Sequence, residues 1–250
     1  MTDNQPIDHT HKNVGGALQK VGNLTILSNI FRAPAVGMTQ VQQRYNVIFP
    51  FFVLTILSGM VTYSYFNIVD YAWYVDYMVD LAAGELSKAE QDTARAPYLL
   101  LSQSAMAFIA GLSVVLVVSI LYIIQSIYFV VVSNVNNDGY QFKQWFSFIA
   151  WTSMPGLIAV VATFASLLTS SSIQIPLDSI NPLSLNELIF TLDPSKGLGS
   201  LLSSIHIAQI WSFVVMVIGY KIWTKKSTGK SAAIVLAPFV IFYVGWFAII

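Results

Sequence analysis

The stretch APYLLLSQSAMAFIAGLSVVLVVSILYIIQSIYFVVVSNVNN occupies residues 96–137 and contains no charged side chain. An α-helix needs about 20 apolar residues to cross roughly 30 Å of hydrocarbon. Four further uncharged stretches of the 250-residue chain reach that length, at residues 45–69, 144–177, 197–220 and 231–250. Continuous apolar runs favour membrane helices over barrel strands, whose residues alternate in polarity. The sequence therefore predicts an all-α polytopic membrane protein with a five-helix transmembrane bundle.

The longest stretch exceeds the length of one span, because a helix over residues 97–132 would extend roughly 54 Å at 1.5 Å per residue. Such a helix could tilt, project beyond the bilayer or break near Gly111. No polar turn divides the stretch. We therefore count it as a single span.

Composition indicates a chain that lies largely inside lipid. Of its residues, 56% are hydrophobic and only 10% are charged, against about 25% charged in soluble domains. The chain has no cysteine, which excludes thiol catalysis and thiolate metal sites. No charged residue falls at mid-membrane depth in a predicted span, which argues against a proton relay. We find no nucleophile–base pair and no metal-ligand spacing, so we expect no enzyme activity, no catalytic or metal-binding residue and no cofactor.

Basic residues divide unevenly between the two sides that five spans would create. Nine Lys and Arg residues fall on one side, and three fall on the other side together with nine acidic residues. Positively charged loops remain cytoplasmic, so we predict a cytoplasmic N-terminus, an extracytoplasmic C-terminus and a multi-pass protein of the cell inner (plasma) membrane. Residues 1–44 would form a cytoplasmic N-terminal tail, and residues 45–250 the transmembrane domain.

Part of this tail carries a weak helical pattern of apolar residues with basic neighbours, over residues 13–32. Two interpretations are open. The segment is either a helix lying on anionic lipid at the inner surface, or a segment that packs on the bundle.

A cluster of lysines surrounds the loop before the last predicted span and comprises Lys221, Lys225, Lys226 and Lys230. Its sequence KKSTGKS resembles a phosphate-binding loop, but Thr224 stands where the first glycine is required, and the segment joins two membrane helices. We therefore predict a tight inner hairpin whose lysines contact lipid headgroups, at about 1 kcal/mol per basic residue.

Two segments predicted outside the bilayer carry the Ser-x-x-Glu spacing of a capping box, which starts a helix. Ser87 and Glu90 predict a short helix that runs toward Pro97. Ser184 and Glu187 predict a second short helix, lying in the interface or dipping into the bundle.

The third span contains Pro155-Gly156, a pair that predicts a kink or break. A break in a membrane helix frees backbone carbonyls, which some transporters use to coordinate ions; a packing kink has the same signature. His206 lies near the outer end of the fourth span and is either a packing histidine or, with Glu187, part of a polar site.

Polar residues could alternatively line a path for a neutral solute if they face one another. The second span carries five of them: Ser102, Gln103, Ser104, Gln125 and Ser126. Small polar residues also bond neighbouring helices, so this pattern alone does not decide between a path and packing. Three carboxylates at the outer end of the first span, Asp70, Asp76 and Asp80, are interpreted as a solvated acidic face rather than a cation site.

Five short motifs follow one another along the chain: IFRAP at 30–34, SKAEQ at 87–91, NPLS at 181–184, IHIAQIW at 205–211 and IGY at 218–220. With the five-span layout, they resemble the Yip family of integral membrane proteins, specifically its prokaryotic branch. The resemblance implies a compact five-helix bundle with a cytoplasmic N-terminus. Eukaryotic relatives act in vesicle formation and membrane organisation and bind Rab-type GTPases through cytoplasmic regions. Their long acidic-aromatic cytoplasmic domain has no counterpart in this sequence.

Charge pattern and resemblance together predict a non-enzymatic membrane-organising or scaffold protein. We expect it to bind membrane lipids and either a protein partner or a second copy of itself, and to bind no nucleic acid. The alternative is a small channel or transporter for a neutral or lipid-like solute.

Overall fold

The computed structural model describes residues 21–250, and within this range the fold consists of helices and connecting turns. The helices are α1 Asn23–Arg32, α2 Pro34–Arg44, α3 Ile48–Ile68, α4 Tyr71–Ala83, α5 Lys88–Leu99, α6 Gln103–Asn136, α7 Phe142–Thr152, α8 Gly156–Thr169, α9 Gly197–Ser204, α10 Ile207–Thr224 and α11 Thr228–Ile249. A 3₁₀ turn at Leu177–Ser179 and a π-helical turn at Asn186–Phe190 lie between α8 and α9.

Four helices, α3, α6, α10 and α11, are each long and apolar enough to cross a membrane. Helices α7 and α8 together are also long and apolar enough, and they bend by 44° at the break between them. The described part of the chain therefore provides four unbroken candidate spans, and a fifth if the bent pair crosses the membrane as one span. The predicted all-α polytopic membrane fold is confirmed.

Helix α6 is one helix of 34 residues, about 51 Å long at 1.5 Å per residue, and it continues without interruption through Gly111. Its main partner is α3, and the two backbones meet at Gly59 and Gly111. A Cβ atom on either glycine would lie 2.8 Å from the carbonyl oxygen of the other. The close approach of these two helices therefore requires a residue without a side chain at both positions.

The third span is broken between α7 and α8, where the sequence predicts a kink. Pro155 has no N–H to continue the helical ladder. The backbone instead forms bonds of three-residue spacing, from the Met154 N–H to the Trp151 carbonyl at 3.2 Å and from the Gly156 N–H to the Ser153 carbonyl at 2.9 Å. A functional role for Pro155 and Gly156 stays a prediction.

The main hydrophobic core lies where α2, α6, α7 and α10 meet. Trp145 and Tyr220 are fully buried, and Trp145 stacks on Phe129 with 5.0 Å between ring centroids. Trp223 donates its indole N–H to the Met38 carbonyl at 3.0 Å. This bond ties α10 to α2.

The two N-terminal helices are part of that core. Ile26 and Ile30 of α1 and Met38 and Val41 of α2 are almost completely shielded from solvent. For residues 23–32 the structure therefore supports packing on the bundle, while residues 13–20 of the predicted helical segment lie outside the described residues. The division into a tail of residues 1–44 and a domain of residues 45–250 stays a prediction.

A helical hairpin, α4 and α5, lies at the end of the bundle opposite the α6–α7 and α10–α11 loops. We name this the far end. The capping box at the hairpin's second helix forms as predicted, with the Ser87 N–H donating to Glu90 Oε2 at 3.0 Å, and α5 extends past Pro97. Helix α4 was not predicted. It begins after Asp70, whose carboxylate accepts the Trp73 N–H at 3.1 Å, so the predicted acidic face belongs to a helix.

The second capping box forms only in part, because other groups occupy its donors. The Glu187 N–H donates to Ser184 Oγ at 3.2 Å, but the Ser184 N–H donates to the Asn181 carbonyl rather than to the Glu187 carboxylate. The predicted short helix is a five-residue π-helical turn. The buried Asn186 side chain holds this turn by bonding both the N–H and the carbonyl of Leu192.

Candidate functional site

One end of the bundle, formed by α1, α2 and the loops α6–α7 and α10–α11, is here named the basic end. Its exposed charged side chains are Arg32, Arg44, Lys143, Lys221, Lys225 and Lys230. Within residues 21–250, the acidic residue at this end is Asp138, and it is paired with Lys226. The exposed surface of the basic end therefore carries a net positive charge.

Lys226 differs from the other lysines of the hairpin. Its ammonium pairs with Asp138, and the two side chains are only 12% and 6% exposed. It also lies 5.8 Å from the centroid of the Tyr220 ring, within the range of a cation–π contact. The headgroup contact predicted for Lys226 is therefore replaced by a contact inside the protein. For Lys221, Lys225 and Lys230, which are exposed, the headgroup contact stays a prediction.

A second candidate site lies between α3, α6, α8 and α10. It consists of two adjoining chambers of ≈ 300 Å³ and ≈ 310 Å³, which share Leu54, Val118, Gly156 and His206 in their walls. We name the two chambers together the central cavity. Gly156 belongs to the break in the third span, so the cavity lies where that span bends.

Neutral polar side chains and apolar side chains line the central cavity together. The polar ones in the second chamber are Tyr122, Gln125, Ser153, Ser204, Gln209 and Ser212. The serine hydroxyls donate to backbone carbonyls within their own segments. Three groups lack such partners among the described residues: the Tyr122 hydroxyl and Gln209 Oε1, which are buried, and the Gln125 carboxamide.

The polar residues that the sequence singles out in the second span mostly do not face this cavity. Gln125 lines it, whereas the other four bond the backbone or one another. Ser102 caps α6 and lies 3.1 Å from Ser104, Gln103 donates to the Phe66 carbonyl, and Ser126 donates to the carbonyl of Tyr122. Of the two alternatives that the sequence leaves open, a path and packing, the structure therefore supports packing for four of the five residues.

The two members of the predicted polar site, His206 and Glu187, have different surroundings. His206 lines both chambers of the cavity, and its Nδ1 accepts the Gln209 N–H at 3.1 Å, which caps α10. Backbone bonds hold it in place, including one from the Leu185 N–H to the Ile205 carbonyl at 2.8 Å. Glu187 is exposed on the π-helical turn. A joint role for the two residues stays a prediction.

The carboxylates at the far end of the bundle are engaged separately. Asp70 caps α4, and Asp76 pairs with Arg95. Among residues 21–250, no three His, Asp or Glu side chains come together in a group that could hold a metal ion.

The bundle, the broken third span and the helical loops define an all-α polytopic membrane protein. It has a cavity lined by both polar and apolar side chains and a basic end. The Yip1 domain family matches residues 28–249, and the chain belongs to this family. The match begins within α1 and includes every candidate span. Comparison with curated proteins and with solved structures returned no match. The predicted Yip membership is confirmed, and the assignment to the prokaryotic branch stays a prediction.

Proposed function

We propose that this Yip-family protein is a non-enzymatic, membrane-organising scaffold that gathers anionic lipid and a protein partner at its basic end. The observation that carries the proposal is the group of six exposed basic side chains there, beside an acidic residue that Lys226 already neutralises. Near an anionic membrane surface, each such residue contributes about 1 kcal/mol of attraction.

The basic end is suited to this role because it is a fixed surface. Ile30 and Met38 anchor α1 and α2 in the core, and the Gln42 side chain donates to the Tyr140 hydroxyl at 2.6 Å. The backbone that carries Arg32 and Arg44 is thereby held in place. A preformed arrangement loses less conformational entropy when it binds a headgroup or a partner.

A second candidate function, transport of a neutral or lipid-like solute, draws support from the central cavity. A solute that crosses the bundle would have to pass the main core at the basic end. Trp145, Phe148 and Tyr220 lie in that region and are fully buried, and buried protein interiors are close-packed. This solid packing favours the scaffold over an open channel.

The test is native mass spectrometry of the full-length protein released from nanodiscs that contain equal amounts of phosphatidylglycerol and phosphatidylcholine. We expect retained lipid to be enriched in phosphatidylglycerol. The triple variant Lys221→Gln, Lys225→Gln, Lys230→Gln should lose roughly 3 kcal/mol of that preference. The control replaces Lys88 and Lys196, which are exposed at the far end of the bundle.

The same variants test the protein partner. A protein that copurifies from native membranes with the wild type and the control, but not with the triple variant, supports the scaffold. Equal phosphatidylglycerol enrichment in the wild type and the triple variant would contradict the proposal. Loss of enrichment in the far-end control as well would assign the effect to overall charge.

A further inference from the structure

We propose that the central cavity binds a neutral membrane lipid with a free hydroxyl group, of the diacylglycerol or long-chain alcohol class. The lipid would enter from the bilayer between α3 and α8. The cavity shares no charged residue with the basic end, and the proposal does not depend on the scaffold function.

The polar groups of the cavity that lack partners favour a ligand that both donates and accepts hydrogen bonds. The Tyr122 hydroxyl can do either, Gln209 Oε1 accepts, and the Gln125 carboxamide offers both. Tyr122 is only 4% exposed, yet its hydroxyl and Gln209 Oε1 lack a partner in the structure. A buried polar group without a hydrogen bond costs free energy, so a ligand hydroxyl that reaches either group would stabilise it.

The charge of the cavity excludes an ionic headgroup as its natural occupant. No Asp, Glu, Lys or Arg lines either chamber. A phosphate or ammonium group placed there would lose its hydration without gaining a counter-charge, which is strongly unfavourable in a low-dielectric interior. A hydroxyl is neutral, so a few hydrogen bonds are sufficient to replace its hydration.

The route into the cavity points to the bilayer as the source of the ligand. A further space of ≈ 170 Å³ lies between α3 and α8 and shares Val61 and Val160 with the first chamber. Its other walls include Met60 and Val161, which are 58% and 64% exposed on the surface of the bundle. An acyl chain can occupy this apolar gap while its headgroup lies in the cavity.

The dimensions agree with a headgroup and the adjoining part of its chains. Each chamber is near the lower limit of the range of roughly 300–1,000 Å³ found for small-molecule sites. The lateral gap adds room for chain carbons. Apolar residues such as Leu54 and Met216 line the cavity beside the polar groups, which suits an amphiphile better than a fully polar molecule.

The experiment is photolabelling of the full-length protein in phosphatidylcholine nanodiscs with a diacylglycerol that carries a diazirine on one acyl chain. We expect labelled peptides from α3 and α8, and we expect excess diacylglycerol to displace the probe. Its O-methyl ether, which lacks the donor, should compete more weakly. Competition by glycerol as strong as that by diacylglycerol would overturn the lipid assignment in favour of a water-soluble polyol.

Two substitutions test the location of the site. Gly156→Leu should abolish labelling by filling the cavity, since a Cβ atom there has ordinary contacts, at 3.7 Å, with Leu54 Cδ1. Gly245→Leu is the matched control, because a Cβ atom at that position meets nothing within 4 Å, and its labelling should equal that of the wild type.

Tyr122→Phe removes only the hydroxyl and should reduce labelling about fivefold, the effect of one neutral hydrogen bond. It also serves as the deciding variant if Gly156→Leu does not fold, as judged by tryptophan fluorescence during heating. Undiminished labelling in Tyr122→Phe would overturn the proposal, and so would undiminished labelling in a folded Gly156→Leu, whatever the basic-end variants show.

Discussion

The Asp138 side chain is only 6% exposed and pairs with the Lys226 side chain, which is 12% exposed. Removing one partner of a buried ion pair leaves the other charge uncompensated, which costs more than the pair itself contributes. We expect Asp138→Asn to lower the free energy of unfolding by about 3 kcal/mol. The measurement is unfolding in mixed detergent micelles, followed by tryptophan fluorescence.

Two further variants serve as controls for this prediction. Adding Lys226→Met to Asp138→Asn should recover much of the loss, because the unpaired ammonium is removed as well. Asp76→Asn should cost at most about 1 kcal/mol, since Arg95 and Asp76 are 37% and 60% exposed. If Asp138→Asn and Asp76→Asn lowered the free energy of unfolding equally, burial of the Asp138–Lys226 pair would make no contribution to stability.

Glu90 provides a pH-dependent prediction at the same scale. Hydrogen bonds from the Ser87 side chain and backbone lower the pKa of Glu90 from its ordinary value of 4.5. A carboxylate whose pKa falls on folding stabilises the folded state fully above the unfolded pKa and loses this contribution as the pH falls through the folded pKa. We expect the first turn of α5 to open below pH 4.5, seen as faster amide hydrogen exchange.

The Glu90→Gln variant is the control, because its side chain has no charge to lose. Its exchange rates at the start of α5, corrected for the intrinsic pH dependence of exchange, should not change across the same acid range. A wild-type protein that shows no change there either would rule out a role for the Glu90 carboxylate in holding the turn.

The sequence predicts single residues where their role depends on near neighbours. Ser87 and Glu90 stand three positions apart, so their capping box is visible in the sequence. Asp138 and Lys226 are separated by 88 positions, and nothing local marks them as partners. A lysine in a hairpin next to lipid has the same sequence pattern whether it contacts a headgroup or a buried carboxylate.

At the scale of helices, the contact of α3 with α6 at Gly59 and Gly111 gives a sharp prediction. Gly111→Ala places a methyl group 2.8 Å from the Gly59 carbonyl oxygen and must push the helices apart. We expect a loss of roughly 1–2 kcal/mol, after the better helix propensity of alanine is included. The same micelle unfolding experiment measures it.

Gly245→Ala in α11 provides the comparison, because a Cβ atom there meets nothing within 4 Å. This variant should be neutral or slightly more stable than the wild type. A neutral Gly111→Ala would mean that α3 and α6 adjust their separation without cost, contrary to the close contact described above.

Helices are predictable from the sequence where hydrophobicity alone decides their bounds, and they are not predictable where hydrogen bonds compete. Long uncharged stretches identify the spans because lipid imposes their length. Two identical capping-box patterns have different outcomes, because the Ser184 N–H bonds Asn181 while Ser87 has no such competitor. The π-helical turn depends on Asn186 reaching Leu192, which a helix-start pattern does not predict.

At the scale of the whole molecule, the central cavity illustrates what composition leaves undetermined. Its polar lining comes from α6, the break after α7, the end of α9 and α10. The sequence indicates which residues are polar, but not which of them point to a common centre. Gln125 lines the cavity, whereas Gln103 donates to the Phe66 carbonyl near the end of α3. Both residues lie on α6, but they are about 33 Å apart along its axis. Each therefore meets the neighbours at its own depth, which long-range packing sets.

A prediction of the orientation in the membrane follows from the sequence, because five spans would leave nine basic residues on one side and three on the other. The positive-inside rule therefore predicts that the basic end faces the cytoplasm. Because the chain has no cysteine, single cysteines report orientation without background. Both Gln43 and Ser172 are exposed, at opposite ends of the bundle. In intact cells, a membrane-impermeant maleimide should label Ser172→Cys at once and Gln43→Cys only after permeabilisation.

Labelling after permeabilisation is the internal control, since both cysteines must then react. The reverse pattern in intact cells would turn the basic end toward the extracytoplasmic side, away from the anionic leaflet that attracts basic residues. It would thereby contradict the scaffold proposal, which needs Lys221, Lys225 and Lys230 at that leaflet. The central cavity opens laterally between α3 and α8, so its proposed lipid site is compatible with either orientation. One labelling experiment therefore separates the two proposals.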